Sequence, residues 1–197
     1  MATLYLIRHA RPAGSFGDSV DPGLDEVGKS QAEQVADLIA RQTRSLPVYT
    51  SPLRRCRETA QPLAAIWGVQ PIIFDEAGEI PSPPLSLAGR QSWLRKAMGG
   101  TWAELKQTAP DGSPDFDAWR TTLVSAISAI AGDSVIYSHF IAINAIIGAA
   151  QGIEQVVSFR PDHASVTTVD VGEGQITLRA LGRETSEGRG SAVLAGR

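Results

Sequence analysis

The sequence predicts an α/β fold, a three-layer α/β/α sandwich with a mostly parallel central sheet and a small helical cap insertion. Three observations carry this reading. Short apolar runs of strand length alternate with stretches whose apolar residues recur at helical spacing, the pattern of a parallel sheet covered on both faces. A cluster of prolines, Pro81-Ser82-Pro83-Pro84, breaks the alternation and is followed by amphipathic segments around Trp93, Trp102 and Trp119, which reads as an insertion that roofs a site. The chain has 197 residues, 43% hydrophobic and 20% charged, enough for one sizeable core and too few for two full domains.

Taken in order, Leu4-Tyr5-Leu6-Ile7 is rich in strand formers, ends abruptly at Arg8-His9 and reads as a buried central strand. The Gly/Pro/Asp-rich stretch from Pro12 to Gly23 reads as loop. From Asp25, a natural N-cap, Val27, Ala32, Val35, Ala36, Leu38 and Ile39 recur at helical spacing. Pro47-Val48-Tyr49-Thr50 is a second strand. Ser51-Pro52 then supplies an N-cap with proline at the first helical position, and Leu53, Cys56, Ala60, Leu63, Ala64 and Trp67 form the apolar face of a second helix. Gln70 to Phe74 is a third strand, Val135-Ile136-Tyr137 a fourth, Phe140 to Ala150 an apolar helix, and Ser165 to Val171 with Gln175 to Leu181 a closing strand pair. One domain thus spans residues 1–182, with a cap insertion at about 80–132. The tail 183–197 has little to bury and is expected to be mobile unless it docks on the body.

Charge and composition narrow the function. A net charge of −3 and a pI near 5.6 leave no electrostatic footprint for nucleic acid or an anionic membrane, although a small basic pocket fits within that average. Phe140 to Ala150 is too short for a bilayer span, which needs roughly 20 apolar residues. The N-terminus has no small-residue cleavage site after its brief apolar run, so no secretory signal is read. Cys56 is the only cysteine, which precludes an internal disulfide and a cysteine-based zinc site and fits a cytoplasmic location. Oligomeric state has no signature in the sequence.

Ligands of open parallel sheets bind outside the carboxyl ends of the strands. Here those ends carry Arg8-His9 after the first strand, Ser51 with Arg54-Arg55 after the second, Asp75, Glu76 and Glu79 soon after the third, and Ser138-His139 after the fourth. Two of the chain's three histidines therefore share one sheet edge. Two imidazoles, two or more arginines and a carboxylate describe a site that transfers phosphoryl groups without metal. Guanidinium groups bind phosphate oxygens bidentately and stay charged. A neutral imidazole can attack phosphorus, and a carboxylic acid can protonate the leaving oxygen and then activate water. Each element also has a plainer reading. His9 alone could be structural, Arg54 and Arg57 read as a solvated helix face pairing with Glu58, and His163 reads as a turn residue or pocket rim. The insertion's tryptophans read as its core, and Asp75 and Glu76 as exposed. A metal site of His9, His139 and Glu79 is conceivable, but no helical His pair at ligand spacing supports it.

These residues together resemble the histidine phosphatase superfamily, the phosphoglycerate mutase-like proteins. Leu6-Ile7-Arg8-His9-Ala10 resembles its Arg-His-Gly signature; Asp21-Pro22-Gly23-Leu24-Asp25-Glu26-Val27-Gly28 with Gln31-Ala32 is similar to its Asp-x-x-Leu-Thr-x-x-Gly-x-x-Gln-Ala stretch. Thr50 to Ala60 resembles its Ser-Pro-Leu-x-Arg-Ala-x-x-Thr-Ala helix, Val135 to His139 its second-histidine block, and Ala164 to Thr167 its final strand. The resemblance implies a metal-independent, cofactor-free phosphatase acting through a phosphohistidine on a phosphomonoester or phosphohistidine. In that scheme His9 is the nucleophile, Arg8 and Arg55 clamp the phosphate, His139 stabilises the transferring group and Glu79 donates the proton, with Glu76 the competing acid. The implied partner is a small phosphorylated metabolite or phosphoprotein. A phosphoglycerate-type mutase and a catalytically silent phospho-ligand-binding protein are the alternatives. Three positions depart from the pattern: Ala10 for glycine, Cys56 for alanine, and Phe140 for the glycine often found after the second histidine. The family's Gly-x-Trp-Glu-Gly pattern is absent, and the separation of Glu79 from His139 is only 60 positions, which favours dephosphorylation over isomerisation.

Overall fold

In the computed structural model, which describes residues 1–14, 19 and 21–185, the first apolar run forms strand β1 (Ala2–Arg8) at the centre of a six-stranded sheet. β1 pairs in parallel with β4 (Ser134–Ser138), and β4 with β2 (Val48–Thr50), which pairs in turn with β3 (Ile72–Ile73). On its other side β1 pairs antiparallel with β5 (Val166–Gly172), and β5 with β6 (Gln175–Ala180). The order is β3-β2-β4-β1-β5-β6, four parallel strands and an antiparallel closing pair. The register sets Arg8 opposite Ser138, so the next residue of each strand, His9 and His139, leaves the sheet at the same edge. The His9 amide donates to the Ser138 carbonyl at 2.9 Å, and the Ser51 amide to that of Tyr137 at 3.0 Å, so three strand ends are sewn together at this edge.

Alternation along β1 sends Leu4 and Leu6 to one core and Ile7 to the other. Helices α1 (Glu26–Gln42) and α2 (Arg54–Trp67) cover one face, where Val35, Ala36, Ile39, Cys56 and Leu63 pack on Ile7, Val135 and Tyr137. The other face is covered by α5 (Phe116–Ser128) and α6 (Phe140–Gln151). Every residue of α6 from Ile141 to Gly148 is buried, as befits a helix apolar all round and held between sheet and α5. Asp25 caps α1 through the Gly28 amide at 2.7 Å. Two residues read as part of its core face, Val27 and Leu38, are instead 45% and 47% exposed.

Several local expectations are corrected. Ser51 does not cap α2: the helix begins at Arg54 with Leu53 as N-cap, and Pro52 lies ahead of it. The first helical amide is served from outside, by the Asp21 carboxylate at 2.8 and 3.1 Å, while the Ser51 hydroxyl turns toward His139. The third strand shrinks from the expected 70–74 to Ile72–Ile73, because it lies on the sheet edge against a three-residue neighbour and the chain then turns into a 3₁₀ segment, Asp75–Ala77.

The stretch after the prolines holds α3 (Leu87–Met98), α4 (Trp102–Gln107) and α5. Its tryptophans are core: Trp93 stacks on Phe116 with centroids 5.6 Å apart, and Trp102 meets Trp119 at 6.1 Å. Helix α5 belongs to the layer on the sheet, whereas α3 extends Leu94 and Met98 toward the strand ends. Residues 183–185 dock on the loop before β5, with the Asp162 amide donating to the Arg183 carbonyl at 2.8 Å and the Thr185 amide to that of Arg160 at 2.9 Å. The rest of the tail, for which mobility is expected, lies outside the described residues, as do 15–18 and 20 of the first loop. Among the described residues no helix is long and apolar enough to cross a membrane.

Candidate active site

His9 follows β1 and is only 6% exposed. Its Nδ1 lies 2.8 Å from the Ala10 carbonyl oxygen, which can only accept, so Nδ1 carries the hydrogen and Nε2 is left with its lone pair. Burial, with the nearby His139, Arg8 and Arg55, holds the imidazole well below its ordinary 6.5 and therefore neutral. Ala10, where the pattern has glycine, takes an ordinary backbone conformation, and its Cβ fills a small cluster with Leu24, Ala32 and Ala164.

His139, the residue after β4, is fully buried and oriented from both sides. Arg55 Nη2 donates to Nδ1 at 3.1 Å, since a guanidinium has no acceptor. That leaves the hydrogen on Nε2, which donates to Ser51 Oγ at 2.8 Å. Burial and the two arginines keep this ring neutral as well. Cys56 Sγ packs 3.3 Å from the same Nε2, and burial pushes its thiol pKa far up, so it acts as a floor beneath the ring.

The two arginines arrive from different elements. Arg55 sits in the first turn of α2, where the helix dipole favours an anion. Its Nη1 lies 3.8 Å from Asp21. The contacts that steer Arg8, the last residue of β1, include Nη1 donating to the Pro161 carbonyl at 2.8 Å, Nη2 to His163 Nε2 at 3.0 Å, and the guanidinium carbon 5.0 Å from the Phe140 ring centroid.

Glu79 reaches the site from the loop after the 3₁₀ turn. Its Oε1 accepts from the amides of Ile80, Ile141 and Ala142 at 3.0 to 3.1 Å, which also caps the start of α6, while Oε2 takes only a 3.3 Å contact from Ile141. Removal from water outweighs those amides and the Arg55 charge, and raises the carboxyl above its ordinary 4.5. Glu79 lines the cleft and Glu76 does not. Asp75 is exposed, and Arg54 pairs with Glu58 at 2.6 Å on the solvent side of α2, as the sequence suggested for it.

Arg8, His9, Arg55 and Glu79 line one cleft of about 530 Å³ that backs onto His139. The rings of His9 and His139 are 5.3 Å apart, and His163 stands 5.7 Å from His9, so all three histidines converge. The third was readable only as a rim residue, since it follows no strand and its distance from Arg8 in sequence hides the contact. Leu94 and Met98 of α3, with Phe140, give the cleft an apolar wall; Arg11 and Arg160 stand on the polar side. The Asp25-to-Gln31 stretch explains itself here: the Gln31 side chain accepts from the Arg11 amide at 2.9 Å, and Gly28 is required because a Cβ there would lie 2.1 Å from the Arg11 carbonyl oxygen. Among the described residues no three His, Cys, Asp or Glu side chains are grouped to hold a metal ion.

Known proteins resemble this chain in sequence and in fold. The profile of the histidine phosphatase superfamily (branch 1) matches residues 4–184. Phosphoserine phosphatase 1 of Hydrogenobacter thermophilus is 36% identical over 84 residues, a stretch covering 41% of this chain and 39% of that protein. Phosphoglycerate mutase-like protein 4 of Arabidopsis thaliana is 25% identical over 124 residues, covering 61% of this chain and 49% of its own. The chain thus spans less than half the length of the curated relatives it matches. Among solved structures, phosphoserine phosphatase of Entamoeba histolytica in complex with 3-phosphoglyceric acid superimposes with a TM-score of 0.73 at 21% identity, covering 93% of this chain and 98% of that one. A mycobacterial glucosyl-3-phosphoglycerate phosphatase does so at 0.71 with 19% identity, covering 92% and 98%. At such identities the superpositions establish a shared fold.

Proposed function

The chain belongs to the histidine phosphatase superfamily (branch 1), and from that membership we propose that it is a phosphatase that needs no metal and hydrolyses a small phosphorylated metabolite through a phosphohistidine. The observation that carries the reading is the state of His9: neutral, with Nδ1 tied to the Ala10 carbonyl and Nε2 left to attack, in a cleft with Arg8 and Arg55. In the first step the His9 Nε2 lone pair forms a bond to phosphorus while the ester oxygen departs and takes the proton of Glu79. Arg8 and Arg55 neutralise the charge spread over the transferring oxygens, with the Arg55 guanidinium held in place by His139 Nδ1. In the second step Glu79, now a carboxylate, takes a proton from water, whose oxygen attacks phosphorus. Inorganic phosphate leaves and His9 regains its lone pair.

A raised pKa suits the acid of the first step, since Glu79 must be protonated before it can donate. Its Oε2, with a single long contact, is the oxygen left to hold that proton. The size of the cleft and its apolar wall of Leu94, Met98 and Phe140 favour a metabolite over the surface of a phosphoprotein. The names of the phosphatases that resemble this chain, among them one complexed with 3-phosphoglyceric acid, support the same class. The test is release of inorganic phosphate from a panel of phosphorylated metabolites in the presence of a strong chelator. The wild type is expected to turn over and His9→Ala to be inert while still folded. Loss of activity on chelation with recovery on adding zinc would overturn the reading.

A further inference from the structure

We propose that His163 is a positioning residue of the phosphate site: its neutral imidazole holds the Arg8 guanidinium and sets the angle at which that arginine meets the phosphate. The proposal rests on the phosphate-site reading above but adds a residue that the hydrolysis itself does not use. Arg8 leaves β1 at its last position with a long, flexible side chain, and a phosphate clamp works only if such a chain is oriented before the ligand arrives. Among the contacts that orient it are Nη1 on the Pro161 carbonyl at 2.8 Å, Nη2 on His163 Nε2 at 3.0 Å, and the face of Phe140 at 5.0 Å. Pro161 and His163 belong to one loop, and that loop is itself fixed. The Asp162 amide donates to the Arg183 carbonyl at 2.8 Å, Arg183 Nε meets Asp162 Oδ2 at 3.0 Å, and the Ala164 amide returns to the Arg8 carbonyl at 3.1 Å. Ala164 accepts a left-handed φ of 53° to close this turn, a conformation that costs a residue with a Cβ and so marks a geometry enforced by its surroundings.

Only a neutral imidazole can play this part. Nε2 must accept from Arg8, and a second proton would set donor against donor and cation against cation. The groups around His163 divide: Arg8 and Arg11 disfavour its charge, Asp162 and Asp25 favour it, and His9 packs against its ring as a neutral neighbour. Burial together with Arg8 prevails and pushes the ring down to about 4, so the acceptor persists through the neutral range.

Sulfate is the probe, because it has the shape of phosphate and stays a dianion across the acid range. Its affinity is measured by calorimetry from pH 7 to pH 4 on the wild type, His163→Ala and His163→Gln, the last keeping an acceptor that does not titrate. At pH 7 the alanine variant is expected to lose about tenfold in affinity, the scale of one charge-assisted hydrogen bond, and the glutamine variant to recover most of it. Towards pH 4 the wild type should weaken relative to the glutamine variant. An alanine variant that binds sulfate as the wild type does, with the same acid dependence, overturns the proposal. If that variant does not fold, parallel acid profiles of wild type and glutamine variant overturn it instead. Binding needs no turnover, so a wild type that binds sulfate yet cleaves no ester contradicts the hydrolytic reading alone, whereas a wild type that does not bind sulfate contradicts both.

Discussion

Burial tunes His9 and Glu79 in opposite directions, and both shifts suit the proposed first step. Removal from water disfavours charge, so it lowers the imidazole below 6.5, leaving a neutral ring with a lone pair, and raises the carboxyl above 4.5, towards holding its proton. A general acid matters most when the leaving oxygen is a poor leaving group. Glu79→Gln keeps the amide contacts at the start of α6 but has no carboxyl proton, so it should slow hydrolysis of alkyl phosphates far more than of nitrophenyl phosphate. Equal losses for both would make Glu79 a residue of position only, and a selective alkyl defect in Glu76→Gln would move the acid there. Arg55→Ala, measured by kcat/KM and by competitive inhibition with vanadate, is expected to cost on the order of 10²-fold, the scale of losing one preorganised donor at developing charge. At this scale the sequence was informative wherever a side chain follows a strand directly, as His9 and His139 do, because strand ends have a known place in such sheets. For His163 it gave only a turn residue or pocket rim; the residue does line the cleft, but its contact with Arg8 depends on a loop conformation that no periodicity encodes.

Elements were legible by their periodicity and less so by their ends. The Ser51-Pro52 pair carries the local signature of a helix start, yet the capping carboxylate comes from Asp21, more than 30 residues earlier, and such a contact across sequence leaves no local trace. Asp21→Ala should therefore lower stability by about 1 kcal/mol, the usual scale of a lost cap, read as a shift in the urea midpoint. It should also loosen Arg55. Ser51→Ala removes no helix cap but leaves the buried His139 Nε2–H and the Leu53 amide without their acceptor, so it should reduce turnover and also lower that midpoint. Gly28→Ala separates propensity from packing. Alanine inside a helix is favoured over glycine by up to about 1 kcal/mol, but here its Cβ would meet the Arg11 carbonyl at 2.1 Å. A net loss of about 1–3 kcal/mol by denaturant titration is expected, and a gain would show that the α1 to Arg11 contact is not held in solution. The helices after the prolines gave a related difficulty: Phe116, Leu123 and Ile127 follow the amphipathic rule whether α5 roofs a site or covers a sheet. Spacing fixes a buried face and not the surface it meets.

For the whole molecule, burying His9 and His139 and half-burying His163 has a consequence for stability against pH. Each titrates below 6.5 in the folded protein, His163 at about 4, while in the unfolded chain each binds a proton near 6.5. Between those values the unfolded state holds more protons, so stability should fall as pH drops below about 6.5. Glu79 works the other way. Its raised pKa means the folded state binds the proton first, adding stability as pH falls through its folded value towards 4.5. Three groups against one give a net loss on acidification, visible as a falling melting temperature between pH 7 and pH 5. A triple variant of His9, His139 and His163 to Gln should flatten that slope; an unchanged slope would place its origin elsewhere.

The proposed hydrolysis requires that His9 Nε2, and no other atom, carry the phosphoryl group. What supports it is one hydrogen bond, Nδ1 to the Ala10 carbonyl at 2.8 Å, which leaves the ring's lone pair on Nε2. The direct measurement is rapid alkaline quench during turnover of a phosphomonoester, followed by phosphorus NMR and peptide mapping of the trapped protein. The expected result is an acid-labile, base-stable phosphate on the peptide containing His9, bonded to Nε2 and absent from His9→Ala. Phosphate on Nδ1, on His139 or His163, or steady turnover with no phosphoenzyme at any quench time would contradict the account.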